Sequence, residues 1–195
     1  MYRARKKDNR DLKIIITSRD SQTGTGKTTL ALWLALHFDE YGFSADQVTL
    51  HPEEFLELYK QNPAGSVIIM DEAEQLDSRR SMSNKNVEFW NLWQTMRYRQ
   101  ITSILTLPTR SALDKRGLEL ADVWIQVTER GHARVHKIAV GDYDGNTQPK
   151  ITETLAFPDV SDLELKDQID EKKVALMEEG ETFGEKDSFT QQDVQ

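Results

Sequence analysis

Lys27, Thr28, Asp71 and Glu72 are the residues whose types and surroundings can do chemistry. Lys27 and Thr28 belong to the stretch Ser21-Gln22-Thr23-Gly24-Thr25-Gly26-Lys27-Thr28-Thr29, which follows the apolar run Ile14-Ile15-Ile16 and precedes the run Leu30 to Phe38. A strand, a glycine-bearing loop and a helix in that order make a phosphate cradle. Gly24 and Gly26 permit backbone conformations closed to residues with a Cβ, so successive N–H groups can turn inward on phosphate oxygens. Lys27 can then reach the β/γ-phosphates as a point charge and Thr28 can place its hydroxyl on Mg2+, while the following helix points its positive end at the anion. Ser21, Gln22, Thr23, Thr25 and Thr29 shape or complete the cradle. The chemistry is that of ATP or GTP. The spacing matches the pattern G-x-x-x-x-G-K-[ST] except that Ser21 holds the first glycine position, and the alternative is a glycine-rich turn with a surface lysine.

The second site is Met70-Asp71-Glu72, where the apolar run Val67-Ile68-Ile69-Met70 closes on two carboxylates. An acid at the end of a strand neighbouring such a loop holds Mg2+, and Asp71 fits that place. A second acid directly after it can polarise an attacking water, which makes Glu72 the candidate general base. The competing reading is that the pair only caps a following helix, since acids favour helix N-termini.

The elements that must position these groups alternate. A strand from Leu12 to Thr17 leads into the loop, then a helix from about Lys27 to Glu40 ends at Tyr41-Gly42, with Leu30, Trp33, Leu34 and Phe38 on its core face. Gln47 to Leu50 reads as a short strand, Pro52 to Lys60 as a helix and residues 66–72 as a central parallel strand covered on both faces. Residues 73–86 read as a loop. Val87 to Arg99 reads as a helix with Phe89, Leu92, Trp93 and Met96 on its core stripe, which leaves Trp90 off that stripe as a half-buried ring or a contact for another subunit or nucleic acid. Ile101 to Leu107 is the next strand, Ser111 to Leu120 a short helix or turn, and Asp122 to Thr128 another strand. Ala133 to Val140 and Lys150 to Phe157 flank the turn-rich Gly141 to Thr147 and predict an antiparallel hairpin. Asp162 to Glu179 has helical composition, and the last residues have the composition of a disordered end. His132 and His136 share one face of the hairpin without a third metal ligand, and the Asp142-Tyr143-Asp144-Gly145-Asn146 turn lacks the spacing of a calcium loop.

In this order the motifs resemble those of the FtsK–HerA family of DNA-pumping ATPases, which includes relatives in conjugation, viral genome packaging and phage assembly of the zonular occludens toxin type. The resemblance covers residues 12–128 and is carried by Thr23-Gly24-Thr25-Gly26-Lys27-Thr28, Ile68-Ile69-Met70-Asp71-Glu72-Ala73, Met96-Arg97-Tyr98-Arg99-Gln100, Leu113-Asp114-Lys115-Arg116 and Ala121-Asp122-Val123. It implies an α/β, RecA-like P-loop NTPase core with a mostly parallel sheet, ATP and Mg2+ as cofactors, double-stranded DNA as the polymer and a homo-oligomeric ring. It implies Thr28 and Asp71 at the metal, Lys27 and Glu72 as catalytic residues, and an arginine supplied by the adjacent subunit. Arg79, Arg80, Arg97, Arg99, Arg110 and Arg116 are the candidates for that arginine; resemblance favours Arg97 or Arg116, and loop position favours Arg79 or Arg80. The family's sensor glutamine is missing, since the chain reads Leu105-Thr106-Leu107-Pro108-Thr109-Arg110, and Thr106 and Thr109 are the candidates to replace it.

Composition sets the remaining bounds. The 195 residues suffice for one α/β domain, and the absence of Cys excludes disulfides and thiolate metal sites. No apolar run approaches the ~18–20 residues of a membrane span, so the expectation is a soluble, cytoplasmic protein. The net charge of −8 is unevenly placed: residues 159–195 hold 12 acids and 4 bases, leaving 21 of each in residues 1–158. The expected division is a basic arm over 1–11, the P-loop domain over 12–158 and an acidic tail over 159–195. A neutral body does not exclude a nucleic-acid partner. An ATPase that moves protein, a small-molecule kinase and a nucleotide-gated switch are the other readings. Consumption of ATP without an acceptor would count against the kinase.

Overall fold

Ile14 and Ile16 pack on one side of their strand and Ile15 on the other, so the first strand is buried on both faces as an uninterrupted apolar run requires. The computed structural model describes residues 7–19, 24–73, 84–112, 115–140 and 147–186. The strands are β1 (Leu12–Ser18), β2 (Val48–Thr49), β3 (Val67–Met70), β4 (Thr102–Leu107), β5 (Val123–Glu129), β6 (His132–Val140) and β7 (Thr147–Ala156). The helices are α1 (Lys27–Phe38), α2 (Pro52–Gln61), α3 (Asn84–Thr95), α4 (Lys115–Leu120) and α5 (Glu164–Lys186). They form a single sheet in the order β2-β3-β4-β1-β5-β6-β7. Its first five strands are parallel and β6 and β7 run antiparallel.

The order places β4 between the loop-bearing β1 and the acid-bearing β3 in a mostly parallel sheet, as the sequence predicts. Crossovers between parallel strands put helices on both faces. On one face α1 and α5 cover Ile14, Ile16, Ile69, Ile104 and Ile125; on the other, α2, α3 and α4 cover Ile15, Ile68, Met70, Leu105 and Trp124. The hairpin of β6 and β7 is the antiparallel pair the sequence predicts, and its turn over 141–146 lies outside the described residues.

Three details differ from the sequence expectations. Trp90 is fully buried, packed edge-on to Phe89 and tilted against Trp93, because α3 is enclosed by the sheet, α2 and α4 and not by one partner. It is therefore no surface contact. α1 stops at Phe38, before the Gly42 position, because the Asp39 carboxylate accepts hydrogen bonds from the Val67 N–H at 2.8 Å and the Gln47 amide at 2.7 Å. Val160 and Ile169 are buried in the α1-side core, so the segment beginning at residue 159 contributes packing as well as charge. Arg99, one of the arginines at the end of α3, caps the C-terminus of α2 by donating to the carbonyls of Tyr59, Lys60 and Asn62.

Candidate functional site

Gly24 and Gly26 adopt φ of 72° and 97°, the left-handed backbone that the cradle reading asks of them. Gly26 is the N-cap of α1, whose first turn carries Lys27 and Thr28 and no acidic residue. The amide ends of that turn and its partial positive charge are thus open to an anion. A Cβ on Gly26 would meet the Phe157 ring at 3.6 Å. The Arg130 guanidinium, on the turn between β5 and β6, donates to the Gly24 carbonyl at 3.2 Å.

β3 brings the acids to this loop. Asp71 is 1% exposed, and its carboxylate accepts from the Thr28 hydroxyl at 2.9 Å. The Thr106 hydroxyl, one residue past the Met70–Leu105 register pair, donates to the other carboxylate oxygen. The same hydroxyl accepts from the Glu72 N–H at 3.0 Å. Glu72 has φ 54°, a left-handed conformation that costs a non-glycine residue of order 1–3 kcal/mol and is kept only where surrounding contacts enforce it. Strand alternation would point adjacent side chains to opposite faces. The break at Glu72 instead lets both carboxylates meet one cation: Lys173 Nζ of α5 lies 2.8 Å from Asp71 and 3.1 Å from Glu72. Burial pulls the Lys173 pKa down, but the Asp71 and Glu72 charges outweigh it and raise it above its ordinary value.

A strand, a left-handed glycine loop and a helix therefore face an acid pair across a hydroxyl contact of 2.9 Å. This is the geometry of a phosphate-binding loop set against a paired acid. The cleft between the P-loop and the acids has a volume of about 680 Å3. Gly24, Thr25, Gly26, Lys27, Thr28, Thr29, Asp71 and Glu72, all singled out from sequence, line it together. Its far wall includes Arg130, Phe157, Pro158 and Lys166, none of which the sequence reading picked out. Ser21, Gln22, Thr23, Arg79 and Arg80 lie outside the described residues. Arg97 is exposed at the end of the sheet where β4 begins, and Arg116 bonds Asn91 of α3; neither lines the P-loop cleft. Thr109 pairs with Ser111 at the surface, while Thr106 serves Asp71 and Glu72. His136 is buried against Trp124, and no cluster able to hold a metal through three His, Cys, Asp or Glu residues occurs among the described residues. No helix among them is long and apolar enough to cross a membrane.

No protein-family model matches the chain, and no curated protein matches it. Among solved structures it is similar to the N-terminal domain of zonular occludens toxin from Neisseria meningitidis, at 17% identity and a TM-score of 0.44 over 78% of this chain and 98% of that one. It is similar to the genome packaging NTPase of Sulfolobus turreted icosahedral virus 2 in complex with ATP-gammaS, at 13% identity and a TM-score of 0.46 over 73% and 97%. EssC (ATPases 2 and 3) from Geobacillus thermodenitrificans is similar at 13% identity and a TM-score of 0.46, over 85% of this chain and 44% of that one. At such identities the likeness is one of fold.

Proposed function

We propose that the protein is an ATP-hydrolysing motor that acts on double-stranded DNA as a homo-oligomeric ring in the cytoplasm. The observation that carries the hydrolytic part is the meeting of Thr28, Asp71 and Glu72 beside the P-loop. The donor set fits a divalent cation, because the Thr28 hydroxyl and the Asp71 carboxylate are hard oxygens within 2.9 Å of each other and the acids already attract a cationic group. Thr28 and Asp71 would hold Mg2+, which when bound offsets phosphate charge. Lys27 neutralises the β/γ-phosphates, the Gly24–Thr29 amides orient them, and Glu72 takes a proton from the attacking water.

The ring and DNA parts rest on the motif series at Arg97, Arg99 and Arg116 and on the basic arm Arg3, Arg5, Lys6, Lys7 and Arg10. Since Arg97 and Arg116 do not line the cleft of their own chain, a catalytic role for either requires an adjacent subunit. Such an arginine is worth roughly 10³–10⁵ in rate. The test is ATPase rate with and without duplex DNA across protein concentrations, alongside Lys27→Ala and Glu72→Gln. Lys27→Ala should lose nucleotide binding. Glu72→Gln should keep binding and lose roughly 10²–10⁴ in hydrolysis. Parent-rate turnover by Glu72→Gln would remove Glu72 from the mechanism, and a rate indifferent to DNA at every concentration would remove the DNA motor.

A further inference from the structure

α5 starts on the core and reaches into the site. Ile169 of this helix is fully buried, packed among the α1-side apolar groups, and Lys173 follows one turn later on the same helix face. The Lys173 side chain is only 15% exposed, and its ammonium touches both carboxylates that the hydrolytic reading needs. With that contact made, Asp71 is shared among Thr28, Thr106 and Lys173, and Glu72 is neutralised by the same ammonium. A divalent cation held by Asp71 and an ammonium 2.8 Å from its carboxylate repel one another, and the same ammonium occupies Glu72 Oε1 at 3.1 Å. The arrangement excludes the working one.

We propose that Lys173 is an internal counter-ion that holds the nucleotide-free site shut, and that α5 is a latch displaced when Mg2+ and nucleotide enter together. This rests on the nucleotide reading above. The hold is light enough to be reversible. Beyond Ile169, Lys172 Nζ lies 3.4 Å from the carbonyls of Ala45 and Asp46 and 3.5 Å from Glu54, and Val174 is 56% exposed. Long, part-exposed contacts of that kind contribute little, whereas the pairing of Lys173 with Asp71 and Glu72 is short and largely buried. Exchange of one cation for another converts occupancy of the site into movement of α5, which carries eight acids and four bases.

The test uses the full chain and Lys173→Met, which keeps the length of the stem and removes its charge. Binding of a fluorescent ATP analogue is titrated against Mg2+, and amide hydrogen exchange of α5 is followed with no ligand, with analogue plus EDTA, and with analogue plus Mg2+. In the parent, amides beyond Ile169 should exchange at least about tenfold faster only when Mg2+ and analogue are both present, and Lys173→Met should show that faster exchange without ligand. Relief of a latch closed nine-tenths of the time lets Lys173→Met reach half-maximal binding at roughly tenfold lower Mg2+. Analogue binding with unchanged α5 exchange would overturn the latch and leave the nucleotide reading standing. Weaker analogue binding by Lys173→Met would make Lys173 a phosphate ligand and overturn it as well. Failure of both proteins to bind the analogue would overturn latch and reading together.

Discussion

Asp71 and Glu72 are adjacent, and in a continuing strand their carboxylates would diverge across the sheet. The left-handed turn at Glu72 brings them together, and the Thr106 hydroxyl stabilises that turn by accepting the Glu72 N–H while donating to Asp71. Thr106 is fully buried, so no solvent can replace it. Thr106→Val keeps the shape and removes both hydrogen bonds, leaving the Glu72 N–H and a buried Asp71 carboxylate oxygen short of a partner. The expected cost is about 1–3 kcal/mol of stability, read as a lower denaturant midpoint with unchanged slope. Hydrolysis should fall with it, because Glu72 is no longer aimed, and Thr106→Ser should restore both. Full activity in a stable Thr106→Val protein would show that the turn holds without the hydroxyl.

At the scale of elements, the hairpin of β5 and β6 carries a buried histidine with no counter-charge. His136 stacks on Trp124 with ring centroids 4.1 Å apart, and Arg110 lies 5.2 Å from the other ring system's centroid at Trp124. Both His136 ring nitrogens lack hydrogen-bond partners among the described residues. Burial lowers its pKa below the ordinary 6.5, and the Arg134 and Arg110 charges lower it further. The unfolded chain therefore binds this proton more readily than the folded one. The contribution of a neutral His136 is complete above about pH 6.5 and is lost as pH falls below it through the folded value. His136→Phe keeps a ring against Trp124 and cannot titrate. Its melting temperature should fall less than the parent's between pH 7 and pH 5, and equal falls would show that His136 is not the group responsible. The same scale explains what was legible in the chain. The loop of Gly24 to Thr28 and the end of β3 are local patterns, in which a few consecutive residues dictate backbone and chemistry alike. Trp90 falls off the predicted core stripe yet is buried, because helical periodicity reports one buried face whereas α3 is enclosed by three elements. Lys173 was invisible because its partner Asp71 is 102 residues away, and nothing in Glu171-Lys172-Lys173-Val174 distinguishes it from a solvated helix face. Arg130 and Phe157 reach the cleft only through the hairpin's return to the loop.

For the whole molecule the uneven charge matters more than the net value. Residues 1–158 are balanced, the last 37 residues carry the whole −8, and the first ten include Arg3, Arg5, Lys6, Lys7 and Arg10. A DNA partner would be attracted at the basic end and repelled by the acidic one, so affinity should depend on the arm far more than its length suggests. Each phosphate neutralised releases condensed counterions, and the slope of log affinity against log salt is about −0.9 per contact on duplex DNA. Replacing Arg3, Arg5, Lys6 and Lys7 with Ala leaves Asp11 and the buried start of β1 intact. If those four side chains contact phosphate, the slope should become shallower by about 3–4, and duplex affinity at low salt should fall while ATP turnover without DNA stays at the parent level. Titration of labelled duplex at several salt concentrations, beside the DNA-free ATPase rate, reads both quantities. An unchanged slope would place the DNA contacts elsewhere on the balanced body, whereas a loss of DNA-free turnover would show that the arm supports the fold and does not merely reach for the polymer.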